Sequence, residues 1–143
     1  MVGLRFYFND RHKREWMTDG TLDWLWPAVA KEGLPIAMMG GIFLPKFREI
    51  AERHPDLKMI LDHCGLNRLG RDAEAFIHLD ELVALAKLPN IAVKLSGAPS
   101  YSSQSYPWRN IHDAIKRQFD AFGPTRCFWG ERPMKGLPKP GLL

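Results

Sequence analysis

Lys58-Met-Ile-Leu-Asp-His-Cys-Gly65 is apolar from Met59 to Leu61, turns polar at Asp62 and His63, and ends on a glycine where the chain can change direction. A run this short and this continuously apolar suits a strand covered on both faces by helices. Four further runs read the same way: Gly3-Leu-Arg-Phe-Tyr-Phe8, Pro35-Ile-Ala-Met-Met39, Ile91-Ala-Val-Lys-Leu-Ser96 and Arg126-Cys-Phe-Trp129.

Helical patterns lie between them. Pro107 stands in a first-turn position, Trp108, Ile111, Ile115, Phe119 and Phe122 recur at helical spacing, and Gly123-Pro124 stops the pattern. One face of that helix is therefore expected to be buried. Pro45, Phe47, Ile50 and Ala51 mark a second helix, ending near His54-Pro55 because a residue before proline avoids the helical region. A third is predicted from about Ala73 to Leu88, with Asp72 as its cap and Pro89 beyond its end. In Thr21 to Glu32, Pro27 either opens the helix or kinks it.

Strand and helix in repeated alternation predict an α/β fold with a parallel sheet and right-handed crossovers. The strands begin at Gly3, Pro35, Lys58, Ile91 and Arg126, close to the roughly 31 residues per unit of an eight-unit barrel of about 250 residues. Five units fit either an open doubly wound sheet or a partial (β/α)₈ barrel. Both place ligands at the carboxyl ends of the strands.

The 143 residues are 45% apolar and 25% charged, enough for one soluble domain with a sizeable core. No apolar run approaches the about 20 residues a bilayer span needs, so no membrane association is expected. Twenty Lys and Arg against sixteen Asp and Glu leave +4, scattered along the chain, which argues against a nucleic-acid partner. No Gly-x-Gly-x-x-Gly or phosphate loop occurs. Cys64 and Cys127 form no Cys-x-x-Cys pair, and the N-terminus carries no export signal, so the expected location is the reducing cytoplasm.

Polar groups cluster where the strands end. His63, with an unperturbed pKa of about 6.5, suits a general base, a water-orienting group or a metal ligand, and equally a hydrogen-bonded structural histidine. Alternation puts Ala92, Lys94 and Ser96 on one face of their strand. A lysine inside an apolar strand calls for an anionic ligand or a neighbouring Asp or Glu. Arg5, Tyr7 and Asn9 share a face of the first strand, with Arg11 following, and the two guanidiniums can clamp a carboxylate in bidentate fashion. His12 sits in a charged loop, His54 closes a helix, and His78 and His112 fall within helices; none is expected to be a ligand.

Taken together, Leu34-Pro-Ile36, Ile50-Ala-Glu-Arg-His-Pro-Asp-Leu-Lys-Met-Ile-Leu-Asp-His-Cys-Gly65, Asn90-Ile-Ala-Val-Lys-Leu-Ser-Gly97 and Gly123-Pro-Thr-Arg-Cys-Phe-Trp-Gly130 resemble the amidohydrolase-related (amidohydrolase 2) family of metal-dependent hydrolases, most closely its lactonase-like branch. The likeness runs from Gly3 to about Gly130. It implies an α/β partial (β/α)₈ barrel spanning about units four to eight over residues 1–132, with 133–143 as a divergent tail. It also implies ancestral hydrolysis of a lactone or related small carboxylic-acid or amide substrate by activated water.

By the same resemblance His63 matches the sixth-strand histidine that positions or activates water. Arg5 and Arg11 match arginines that hold substrate carboxylates, and Lys94 lies in the seventh-strand Lys-Leu-Ser-Gly pattern. The family's first-strand His-x-His pair is absent here, and Met38 and Met39 are poor ligands for hard cations. No cofactor is thus expected for this chain, although a zinc-like divalent metal belongs to the full-length family. The eighth-strand pattern of Gly, Ser or Thr, then Asp reads Gly130-Glu131-Arg132 here, which leaves Glu131 as the candidate carboxylate, one residue early. An arginine cannot replace it as a base. A truncated or frame-shifted gene would account for that departure. The competing expectation is an inactive remnant, or one subunit of a split barrel that pairs through its open strand edges as a homo-oligomer or with a complementing chain.

Overall fold

The computed structural model describes residues 3–8, 11–66 and 70–130, with no account of the side chains of 11 and 12. Five strands, β1 (Leu4–Tyr7), β2 (Ile36–Met39), β3 (Met59–Leu61), β4 (Ile91–Ser96) and β5 (Cys127–Gly130), form one sheet in the order β1-β2-β3-β4-β5. Every neighbouring pair is parallel.

That strand order decides between the two folds left open by the sequence. A doubly wound sheet reverses direction at a switch point and so carries helices on both faces. Here the order never reverses, and right-handed crossovers then stack every helix on one side, as in a barrel wall. Burial follows. Phe6, Met38, Leu61, Val93 and Cys127 share one row across all five strands and face the helices, with the central three buried. The adjacent row, Arg5, Ala37, Ile60 and Ala92, lies on the opposite, open face and is only half-buried or exposed. The expectation of helices on both faces therefore fails: the inner face of the sheet is left to small, apolar and charged side chains.

The helix layer comprises α1 (Arg11–Glu15), α2 (Leu25–Lys31), α3 (Leu44–Arg53), α4 (Leu79–Ala84) and α5 (His112–Phe122). In α2, Pro27 lies in the first turn, where a missing N–H costs nothing, so the proline opens the helix rather than kinking it. α3 lies close to its predicted span and buries Leu44, Phe47, Ile50 and Ala51 against the sheet.

Three local expectations change. The helix predicted over 73–88 is broken into 3₁₀ turns flanking a short α4, and Asp72 does not cap it. Asp72 is itself left-handed at φ 55° and accepts hydrogen bonds from the Ser103 N–H and the Asn110 amide, tying down the β4–α5 connection. Pro107 is not in a first turn: Trp108 is left-handed, a 3₁₀ turn spans Arg109–Ile111, and α5 starts at His112. The buried stripe of α5 contains Gln118 and Phe122, while Phe119 is exposed. His12 falls in α1 rather than a loop, and His78 precedes α4.

Candidate active site

Strands β1 and β4 and the chain leaving β3 bring five polar side chains into one network. Asp62 follows β3 and is 2% exposed, so its carboxylate requires partners. It has two among the described residues: Arg5 Nε donates to Oδ2 at 2.5 Å, and Lys94 Nζ stands 3.8 Å from Oδ1. Alternation from Ile60 and Ala92 puts Asp62 and Lys94 on the open face with Arg5. Lys94 thus finds the anionic neighbour its strand position called for. Among the described residues, one carboxylate facing two cations leaves positive charge over, and the side chains of Arg5 and Lys94 are 59% and 36% exposed.

Strict alternation would send His63 to the helix side of the sheet. A run of left-handed residues, His63, Cys64 and Gly65 at φ 52°, 59° and 60°, turns it back. Left-handed backbone is uncommon for residues with a Cβ and persists only when the surroundings hold it. Two hydrogen bonds to the His63 carbonyl do so, from the Tyr101 hydroxyl at 3.0 Å and the Leu66 N–H at 3.2 Å. Glycine suits position 65, whose φ of 60° is left-handed and where a Cβ would stand 2.5 Å from Leu82 Cδ1, forcing that side chain to shift.

The imidazole consequently sits at the strand mouth yet is only 5% exposed. Its Nδ1 lies 3.0 Å from Ser96 Oγ and its Nε2 3.2 Å from an Arg5 guanidinium nitrogen. Arg5 is the hinge of the network, bonded to Asp62 through Nε and to His63 through its terminal nitrogen.

The structure thus brings His63, Arg5 and Lys94 together. Arg11 opens α1, with its side chain outside the account, and Glu131 lies outside the described residues. The sequence reading missed Asp62, although an aspartate closing an apolar strand beside a histidine is a legible signal. It also missed Ser96 as a partner of the imidazole, and Tyr101, for which no local pattern exists. Cys64, the residue after His63, is buried, and burial pushes its thiol up to about 12, so it is no nucleophile.

Residues 1–130 match the family model for amidohydrolases. The chain belongs to the amidohydrolase family. It is 26% identical over 131 residues to an L-fucono-1,5-lactonase from Burkholderia ambifaria, covering 90% of this chain and 44% of that one. A crystal structure of an amidohydrolase from Burkholderia multivorans with bound zinc superposes with a TM-score of 0.73 at 23% identity, over 92% of this chain and 49% of the other. Amidohydrolase 2 from Bifidobacterium longum subsp. infantis gives 0.60 at 28% identity, over 90% and 45%. The chain spans about half the length of the relatives it matches, and its five parallel strands are a partial TIM barrel.

The zinc belongs to that neighbour. Among this amidohydrolase's described residues, no three His, Cys, Asp or Glu side chains gather as a metal ion needs. The two acidic or imidazole groups at the mouth, Asp62 and His63, already face Arg5, Lys94 and Ser96, and a cation there would meet two positive charges. Among the described residues, this donor set does not fit a metal. No helix among the described residues is long and apolar enough to cross a membrane.

Proposed function

We propose that this strand mouth serves hydrolysis of a small lactone or related carboxylic-acid derivative by activated water. The observation that carries the reading is Arg5 bridging Asp62 and His63: one guanidinium joins the positive patch to the imidazole. The lactonase relative supplies the substrate class.

In this reading the substrate carbonyl binds against Arg5 and Lys94, whose charges suit the oxyanion of a tetrahedral intermediate and the carboxylate of the product. Asp62 holds the two cations beside each other before substrate arrives. As the substrate oxygen draws the terminal nitrogen of Arg5 toward itself, His63 Nε2 accepts a proton from water attacking the carbonyl carbon. That proton then passes to the ring oxygen as the C–O bond breaks, and a hydroxy acid leaves. By the sequence resemblance, Arg11 and Glu131 are proposed as a second carboxylate clamp and a second carboxylate for the same reaction, with no position assigned to either.

The test is hydrolysis of aldono-1,5-lactones by the 143-residue chain, followed by acid release against the spontaneous rate. Turnover above background that is lost in His63→Ala and reduced at least tenfold in Lys94→Met supports the proposal. Turnover unchanged in both variants overturns it, as does a wild-type chain that neither hydrolyses the lactone nor binds the aldonate product.

A further inference from the structure

We infer that Arg5 and Ser96 are positioning residues that hold His63 as a single tautomer, with the proton on Nδ1 and the lone pair on Nε2. The inference deepens the hydrolytic reading, and its catalytic value rests on that reading; the tautomer itself does not.

The argument is one of valence. A guanidinium has five N–H donors and no acceptor. Its terminal nitrogen lies 3.2 Å from His63 Nε2, so Nε2 must be the acceptor in that contact. A neutral imidazole with its lone pair on Nε2 carries its proton on Nδ1, and Nδ1 points at Ser96 Oγ 3.0 Å away. A serine hydroxyl both gives and takes hydrogen bonds, so Ser96 would tolerate either tautomer by rotating; Arg5 makes the choice and Ser96 satisfies it. The opposite tautomer would set two donors against each other at Nε2 and leave Nδ1 to accept from Ser96.

Both partners are held in the resting site. Arg5 is held through Nε by Asp62, which is itself buried. Ser96 is 1% exposed at the end of β4, and the next residue, Gly97, turns away at φ 72°, a conformation that favours glycine. The consequence is chemical. The basic nitrogen faces the open mouth and the cations there, while the protonated nitrogen faces the buried wall. A base of the wrong tautomer would present an N–H to an incoming water and accept nothing.

The experiment is a long-range ¹H–¹⁵N correlation of the histidine rings in the 143-residue chain, at mildly alkaline pH where an ordinary imidazole is neutral. His63→Gln identifies the His63 signals, and His12, His54, His78 and His112 serve as internal references. The expected result is a locked Nδ1–H pattern for His63. Arg5→Met is expected to release the lock and raise the Nε2–H population at least tenfold, while Ser96→Ala moves the Nδ1 resonance because its acceptor is gone. A wild-type His63 that shows the Nε2–H pattern, or the averaged pattern of a solvated ring, overturns the inference, and this needs no variant to fold. Failure of lactone hydrolysis with the locked tautomer intact sinks only the hydrolytic reading, and turnover with an averaged ring sinks only this one.

Discussion

A Cβ built on Gly130 would stand 2.7 Å from Lys94 Cε and 3.6 Å from Lys94 Nζ, so the side chain of Lys94 crosses the open face of β5 through the space a missing methyl leaves. The two residues are near neighbours across parallel strands, with Lys94 opposite Phe128 and Ser96 opposite Gly130. Gly130 thus leaves the space that the Lys94 side chain occupies, with its ammonium 3.8 Å from Asp62 Oδ1.

Gly130→Ala is therefore expected to displace Lys94 from Asp62 without disturbing the helix-facing core. Aldonate affinity, measured by calorimetry, should weaken by about tenfold, equivalent to about 1.4 kcal/mol, while the melting temperature shifts little. An unchanged affinity would show that Lys94 reaches the mouth by another path.

Gln118 lies on α5 at 0% exposure, and neither its amide nitrogen nor its amide oxygen has a hydrogen-bond partner among the described residues. A buried amide without partners costs about 1–3 kcal/mol. Gln118→Met keeps the volume and removes both polar atoms, so it should stabilise the chain by that order, read as a higher midpoint in urea. A lower midpoint would mean that the amide is satisfied in solution.

Burial raises both thiols, Cys64 up to about 12 and Cys127 by less, with Arg126 opposing the shift at Cys127. A group whose folded pKa lies above its unfolded value stabilises the fold fully below the unfolded value, about 8.5 for cysteine. That contribution is lost as pH rises from there toward 12. Stability should thus fall with pH across this alkaline window, and the fall should be shallower in Cys64→Ala. With a thiol reagent at neutral pH, Cys127 should react first and Cys64 only on unfolding; equal rates would contradict the burial of Cys64.

Asn90 donates through its side-chain nitrogen toward three carbonyls, those of Ala51, His54 and Leu57, at 3.0, 3.1 and 3.2 Å. It thereby closes the end of α3 onto the start of β4. Asn90→Ala leaves these acceptors short of a donor and should cost about 1–3 kcal/mol, seen as a lower urea midpoint and as faster amide exchange in α3. Substitution of the neighbouring exposed Lys87 serves as a control expected to change neither.

Much of this was legible in the chain. The five strand cores lie inside the predicted runs, extended by one residue at Gly130, because an apolar run of four to six residues between turn formers has few other places to go. α3 was equally legible from its proline start and the histidine-proline stop. The helix over 73–88 was not, because its apolar residues fit a continuous helix, while Asp72, read as its cap, is instead drawn to Ser103 and Asn110, 31 and 38 residues away. Phe119 and Gln118 changed places for a related reason: periodicity defines a stripe, but the neighbouring α4 and β4 decide which edge of it is covered.

What the sequence determined by itself is the parallel alternation of five strands with helices and the concentration of polar groups at the strand ends, from which His63, Glu131, Arg5, Arg11 and Lys94 were drawn as candidates. Each rests on local spacing, which acts through a few neighbouring bonds. The tertiary structure alone decided that the sheet never reverses direction, that His63 is turned back to the inner face, and that Asp62 and Ser96 hold Arg5 and the imidazole in place. Those outcomes depend on groups up to 58 residues apart, whose attraction exists only once the backbone has already brought them within a few ångströms.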